Sequence, residues 1–500
     1  MSAKDVNAAL VRYQSARIKF SQTVAELVKH PRNIEAMVQS YSSSMELLRP
    51  LLLDAEPTVQ QNAAIALGRL ASYNEQVAEK IVMSEILPQL VTSLNCESKY
   101  YKRSAAFVLR SVAKHSPVLA QAVVDSGAVE ALVECLGQFD TAVKESSAWA
   151  LSNIAKHNSE LAQSIVDQDA VPILLLCMKE PELSLKKVAA NALSNICSHN
   201  GDLAQSVIDA EGVGDLVVMK QACTCLGHIA KHSVELAEHV VEAEIFPRIF
   251  SLLREEDIVV KKNAMICIKE IVKHTPDMAS MLVNTGGLPI LLEYIMQVDD
   301  DSKLPAILTL GFVAAFADTL AMSVIKSKSV VVLGSILSNP SHSDHIKATS
   351  AWTLGQVGKH SADHAKSVVN ANILLKLLDC FMSPRSTDDL KLKSKRSLKQ
   401  IIQKCHHLDA LTPFIQPKTP ESILSYTVKQ YSKVLPNDNE SKRKFAESGC
   451  LTRILTIKSD DEDIQESIKI ITQCYSDELV KYYTPDYDRE LIKKIDESIL

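Results

Sequence analysis

The chain says one thing many times. "AWALSNIAKHNSELAQSIV" at 148–166 is echoed by "AKHSPVLAQAVV" from Ala113, "CSHNGDLAQSVI" from Cys197, "AKHSVELAEHVV" from Ala230 and "GKHSADHAKSVV" from Gly358. The histidine of this signature serves as a ruler. It falls at His115, His157, His199, His232, His274 and His360, with Tyr73 and Phe316 in equivalent places. From Tyr73 the steps are 42, 42, 42, 33, 42, 42 and 44 residues, and His30 lies 43 residues before Tyr73. A repeat this short cannot cover its own apolar faces, so neighbouring units must cover them for one another. The 500 residues are therefore expected to form a stacked array and not the several separate cores that a chain of this length would otherwise need.

Each unit divides into three helical stretches. After His115 these are "PVLAQAVVD", then "VEALVECLG" beyond Gly127, then the longer "AVKESSAWALSNIAKH". Pro88, Pro172, Pro247 and Pro289 open the second stretch in other units, where a missing N–H is tolerated. The third stretch carries apolar residues at Val143, Ala148, Leu151 and Ile154, the spacing of a helix with a buried face. Only 14 Gly, 18 Pro and 5% aromatic residues argue against a β-rich chain.

Three helices per ~42 residues, a "GAV" turn before the second helix and "AAxALxNIA"-like third helices resemble armadillo repeats. The resemblance implies an all-α, right-handed superhelical solenoid whose third helices line a groove. On this reading residues 1–30 are a helical lead, 31–407 hold about eight to nine repeats, and 408–500, where the period fades, form a divergent helical cap. Narrower similarity lies in "YQSARIKFSQTVAELVKHPRNIE" (13–35), "PTVQQNAAIALGRLASYN" (57–74), "YYKRSAAFVLRSVAKHSPVLAQAVVDSGAVEALV" (100–133), "VVEAEIFPRI" (240–249) and "VKQYSKVLPNDNESKRKFAESG" (428–449). Together these resemble the sperm-associated antigen 6 family, armadillo proteins of the ciliary and flagellar central apparatus. That resemblance implies a non-catalytic scaffold in the axoneme, needed for motility. Its implied partners are other central-apparatus proteins, WD-repeat proteins among them, and microtubules. Its implied location is the cytoplasm and cytoskeleton.

Two places depart from the pattern. The step from His199 to His232 is nine residues short, and alignment of the units puts the gap between Met219 and Lys220. It is read either as a tightened or frayed unit, nine helical residues being ~13 Å of rise, or as a splice or gene-model variant. In "MVQSYSSSMELL" (37–48) the usual turn before the second helix is missing.

The formal net charge of −6 is mild and predicts no bulk affinity for nucleic acid. No apolar run reaches ~18 residues and no secretory leader opens the sequence, so neither membrane insertion nor secretion is expected. Eleven scattered cysteines without a CxxC fit free thiols in a reducing compartment. The sequence holds no P-loop, G-x-G-x-x-G, G-x-S-x-G or H-E-x-x-H, so no enzyme and no cofactor is expected. The spaced histidines are not expected to bind metal, because side chains one helix layer apart cannot share an ion that needs ligands at ~2 Å.

Two rows of candidate contact residues remain. Lys114, Lys156, Lys231, Lys273 and Lys359 accompany the histidines. Placed in the last turn of a third helix, they favour the negative end of its dipole, or form a basic edge suited to acidic tubulin tails. Trp149 and Asn153 make a W-x-x-x-N pair like those with which import adaptors of this class hold basic peptides. Aligned on that pair, the first column reads Ile65, Phe107, Trp149, Asn191, Thr224, Ile266, Leu308, Trp352. The second reads Arg69, Ser111, Asn153, Asn195, His228, Glu270, Phe312, Gln356. One complete pair is too few for a basic peptide spanning several units. Arg69, Trp149, Asn153, Asn195 and Trp352 stay candidate contacts for some extended ligand, with half-buried packing the alternative for both tryptophans. Lys395 and Arg396 belong to "KLKSKRSLKQIIQK" (391–404), a run without acid that is either a solvated helix face or a dock for an acidic surface. A soluble adaptor binding extended peptides is the alternative to the scaffold. Self-association is left open.

Overall fold

The computed structural model describes residues 3–40, 43–217, 222–416, 418–457, 459–485 and 487. Among them every regular element is a helix, and none is long and apolar enough to cross a membrane. The chain divides into two compact units, Met1–Ile271 and Val272–Leu500.

In the first unit, helices Ala3–Leu27, Pro57–Tyr73, Lys99–Ala113, Thr141–Ala155, Leu183–Cys197 and Cys223–His232 each pack on the next. The same succession holds in the second unit for Leu304–Phe316, Asp344–Gly358, Asp388–Ile402, Glu421–Val434 and Glu462–Thr472. These are the third helices of the repeats. Leu109, Leu151, Leu193 and Leu226 hold one position of successive units, and Leu310, Leu354 and Leu398 hold it in the second; all are buried. Each such leucine contributes about 1.5–3 kcal/mol of apolar burial. The lead helix is itself a member of the stack, since Ala3–Leu27 packs on Pro57–Tyr73 as the later third helices pack on theirs.

Short shared rules set the boundaries. In several units the residue after the signature position caps the next helix: the Asn74 side chain accepts from Val77 N–H at 2.9 Å, Asn158 from Leu161 at 2.9 Å and Asn200 from Leu203 at 2.8 Å, whereas Ser116 and Ser361 make no such bond. The first helix then ends on a left-handed residue, at Glu85, Gly127, Asp169, Glu211, Glu244, Gly286, Lys328 and Asn372. Their spacing repeats the intervals of the histidines, including the short one, so the same bend is built in these eight units. Six of these eight residues carry a side chain in a region that costs about 1–2 kcal/mol without Cβ-free glycine.

The short unit loses helix, not order. Its second helix is Gly212–Val217 and its third, Cys223–His232, has 10 residues where Thr141–Ala155 has 15. The gap itself, at Met219–Lys220, lies outside the described residues, as does part of the irregular 37–48 stretch, whose second helix runs Ser43–Leu51 and contains Pro50. In the C-terminal stretch Asn439–Glu447, Cys450–Leu455 and Glu462–Thr472 restate the three-helix order, with Gly449 left-handed at φ 73° between the first two. The prolines of 413–420 interrupt the spacing between repeats, but the repeat geometry resumes after them.

Candidate binding surface of the third helices

The last carbonyls of a helix have no partner within it. Here the following repeat supplies one. His115 Nε2 lies 2.7 Å from the Ala71 carbonyl oxygen, His157 2.6 Å from that of Ala113, and His199 2.6 Å from that of Ala155. His232 lies 2.7 Å from the Cys197 oxygen and His360 2.6 Å from the Ala314 oxygen. To donate, each ring must carry its proton on Nε2. Burial holds His157 and His360 below the usual imidazole range, against the opposing pull of those carbonyls.

Lys114, Lys156, Lys273 and Lys359 sit just past the last helical residue, whereas Lys231 lies in the last turn of Cys223–His232. Lys114 Nζ donates to the Ser72 carbonyl at 2.7 Å, Lys156 to that of Lys114 at 2.7 Å and Lys231 to that of Ser198 at 3.0 Å. Lys359 instead donates to the Gln356 side chain at 2.6 Å. Lys273 holds the equivalent place after Ile258–Val272 and is half-buried. Burial lowers the pKa of Lys114, Lys156 and Lys359. The Lys-His signature is thus a clamp between successive third helices, each carbonyl bond to an ammonium contributing about 1.5–3 kcal/mol. The row of lysines is in place, but Lys114, Lys156 and Lys231 spend a donor within the fold.

The Trp and Asn columns are likewise engaged. Asn153 donates its amide to the Trp149 carbonyl of its own helix at 2.8 Å. Asn195 donates to Ser152, to the carbonyl at 2.9 Å and the hydroxyl at 3.0 Å. Arg69 donates through Nη1 to the Ala25 carbonyl of the preceding third helix, the same kind of bond that Asn195, its counterpart in the column, makes to Ser152. Trp149 and Trp352 are half-buried. Trp352 packs over Gly311, where a Cβ would stand 2.1 Å from its ring, and meets Phe312 edge-on at 5.5 Å. Phe107 covers Gly68 in the same way, a Cβ there standing 2.4 Å from the ring.

Two arginines were not singled out by the columns. Arg110 has its guanidinium carbon 5.4 Å from the ring centroids of both Phe107 and Trp149. Arg103, one face of the same helix, is exposed. With Arg69 and Tyr100 they line a recess of about 370 Å³ across Pro57–Tyr73 and Lys99–Ala113. The signal was present in the sequence: "YYKRSAAFVLRSVA" holds three cations and no acid.

The basic run lies on Asp388–Ile402. Lys395 is half-buried and Arg396 exposed; Lys393 pairs with Asp389 at 2.9 Å and Lys399 lies 5.4 Å from the Tyr426 ring. Among the described residues no ion pair joins this run to the acidic 459–467 segment, whose Asp463 pairs with Lys429 at 3.4 Å. Among the described residues no group of three or more His, Cys, Asp or Glu is placed to hold a metal ion. The cysteines described are free thiols, and most are buried.

A family model described as Armadillo/beta-catenin-like repeat matches residues 116–156 and 158–198. Sperm-associated antigen 6 of Mus musculus is 49% identical over 154 residues, 31% of this chain and 30% of that protein. The Homo sapiens protein of that name is 48% identical over 154 residues, with the same shares. The chain therefore spans about a third or less of the length of these curated relatives. An engineered protein solved by crystallography superposes with a TM-score of 0.68 at 24% identity, covering 86% of this chain and 98% of its own, a likeness of fold.

Proposed function

We propose that this armadillo-repeat chain is a non-catalytic scaffold of the axonemal central apparatus, serving ciliary or flagellar motility by binding central-pair proteins and microtubules. The observation that carries the scaffold reading is the clamp between repeats. Successive third helices are tied end to end by Lys-His donors, which yields rows of like groups along a stack. Catalysis needs unlike groups converging on one pocket; rows of like groups suit extended contact. The axonemal placement is supported by the similarity to sperm-associated antigen 6 over 154 residues. The retention of Asn153 and Asn195 by their own fold disfavours a soluble adaptor that grips basic peptides.

The test is to tag the full chain in a ciliated cell and extract the axonemes with detergent and then salt. Retention on the central pair supports the scaffold. Complete release into the soluble fraction overturns the axonemal placement in favour of a soluble adaptor.

A further inference from the structure

The third helices Pro57–Tyr73, Lys99–Ala113 and Thr141–Ala155 carry six cations and one carboxylate, Glu145, in a chain whose net charge is −6. The three lysines among those cations are engaged. Lys99 pairs with Asp140 at 3.1 Å, Lys144 with Glu180 at 2.5 Å, and Lys102 donates to Gln138 at 3.1 Å. Among the described residues the arginines have no anionic partner, no carboxylate forming an ion pair with Arg69, Arg103 or Arg110, although Arg69 donates to the Ala25 carbonyl. Arg110 is the informative one. Its guanidinium is half-buried between Phe107 and Trp149, and that burial lowers its pKa. Glu145 is the nearest compensating charge, and it accepts a hydrogen bond from Ser184 at 2.9 Å instead. A cation taken out of water without a paired anion is costly, and an arriving carboxylate would offset that cost.

We propose that this face binds an extended acidic segment of a partner protein, with its carboxylates on Arg103 and Arg110 and on the free guanidinium nitrogens of Arg69. Arg103 and Arg110 share Lys99–Ala113, and Arg69 stands on the preceding third helix, ~8–10 Å away. On one face of an extended chain side chains recur every second residue, ~6.6 Å apart, so alternate acidic residues come within reach of this cluster. Arginine forks fit planar carboxylates. Single-stranded nucleic acid fits less well, because it needs open aromatic faces for its bases. Here Phe107 is covered by Gly68 and Arg110, Trp149 by Arg110, and Lys99 lies over Tyr100, the exposed ring of the recess. The proposal rests on reading the chain as a binding scaffold but not on its axonemal placement, so failure here leaves the extraction result standing.

The experiment uses the full chain and a short fluorescein-labelled Glu-Gly repeat peptide, with the Gln-Gly peptide and a poly(U) oligonucleotide as comparisons. Fluorescence anisotropy is followed across a salt series. The acidic peptide should bind, the Gln-Gly peptide should not, and R103E should weaken binding by about tenfold or more. R103E changes an exposed side chain and leaves the fold intact, which a thermal melt checks; R110Q should weaken binding in the same direction. R248E, at an exposed position of the second helix Ile245–Leu252, should leave this binding unchanged. Three results would overturn the proposal: no binding of the acidic peptide, equal binding by wild type and R103E, or tighter binding of poly(U) than of the peptide.

Discussion

A full repeat and the shortened one make an instructive pair. In the full repeat, Thr141–Ala155 runs 15 residues and ends with His157 and Lys156 on the carbonyls of Ala113 and Lys114. In the shortened one, Cys223–His232 runs 10 residues, yet His232 and Lys231 still reach the carbonyls of Cys197 and Ser198. The left-handed residue before the second helix also survives, at Glu211 as at Gly127. The C-terminal edge of the third helix is thus the part that the stack keeps, and helix length is the part it gives up. A bond from each repeat to the last carbonyls of the one before survives in the short unit; the first turn, which in full repeats adds burial and contacts such as Lys99–Asp140 and Lys144–Glu180, is what the short unit lacks.

That comparison can be broken most severely in the core. Leu151→Ala in the full repeat and Leu226→Ala in the short one truncate equivalent buried side chains. Both should destabilise by about 2–5 kcal/mol, with Leu226→Ala at the lower end because a shorter helix relaxes more readily around the cavity. Urea denaturation of the two variants measures the difference, and a larger loss at Leu226 would make the short unit the better packed. Next come the clamps. His157→Ala and His232→Ala each leave a carbonyl without its donor and should cost about 1–3 kcal/mol. If the edge is what the stack keeps, the two costs will agree within error in the same titration; a negligible cost at His232 would show the short unit to be unclamped.

The pH response sharpens the contrast. Burial lowers the pKa of His157, His228 and His360 from the usual 6.5. The unfolded chain then binds more protons than the folded one at mildly acid pH. Stability from these groups is complete above about 6.5 and is lost as pH falls below it toward their folded values. The short unit carries an additional buried imidazole, His228, whose Nδ1 lies 2.9 Å from the Ser194 carbonyl oxygen and 3.1 Å from its hydroxyl. His228→Gln should flatten part of the fall in thermal midpoint between pH 7 and 5.5; an unchanged slope would remove His228 from the account. The smallest effect belongs to the turns. Gly127→Ala forces a side chain into φ 78° and should cost about 1 kcal/mol. Glu211→Gly relieves the same strain while freeing the unfolded chain, and should stay within about 0.5 kcal/mol of wild type.

The repeat, its three helices and the armadillo architecture were legible because helical periodicity and the histidine intervals lie in the sequence itself. The role of Lys-His was not. Its interlayer bonds cross 33 to 46 residues, as from Lys231 to Ser198, His157 to Ala113 and His360 to Ala314, and no periodicity reveals where a side chain turns. For the same reason Asn153 read as a groove residue, whereas its amide closes on Trp149 of its own helix. Arg110 was missed because the columns followed Trp149 and Asn153, and it stands three residues beyond Phe107 in that alignment. Only the stacked rings show that it shares their face. The repeat geometry after 408 was hidden by prolines that change the spacing without changing the order, and Gly449 marks its return.

Amide hydrogen exchange, resolved by peptide across 141–232, tests most directly whether the stack is continuous. The account predicts that the last turn of Cys223–His232 is protected to a degree comparable with the last turns of Thr141–Ala155 and Leu183–Cys197, through the clamps that end all three. Exchange of Cys223–His232 at the rate of unfolded chain, with its neighbours still protected, would contradict it.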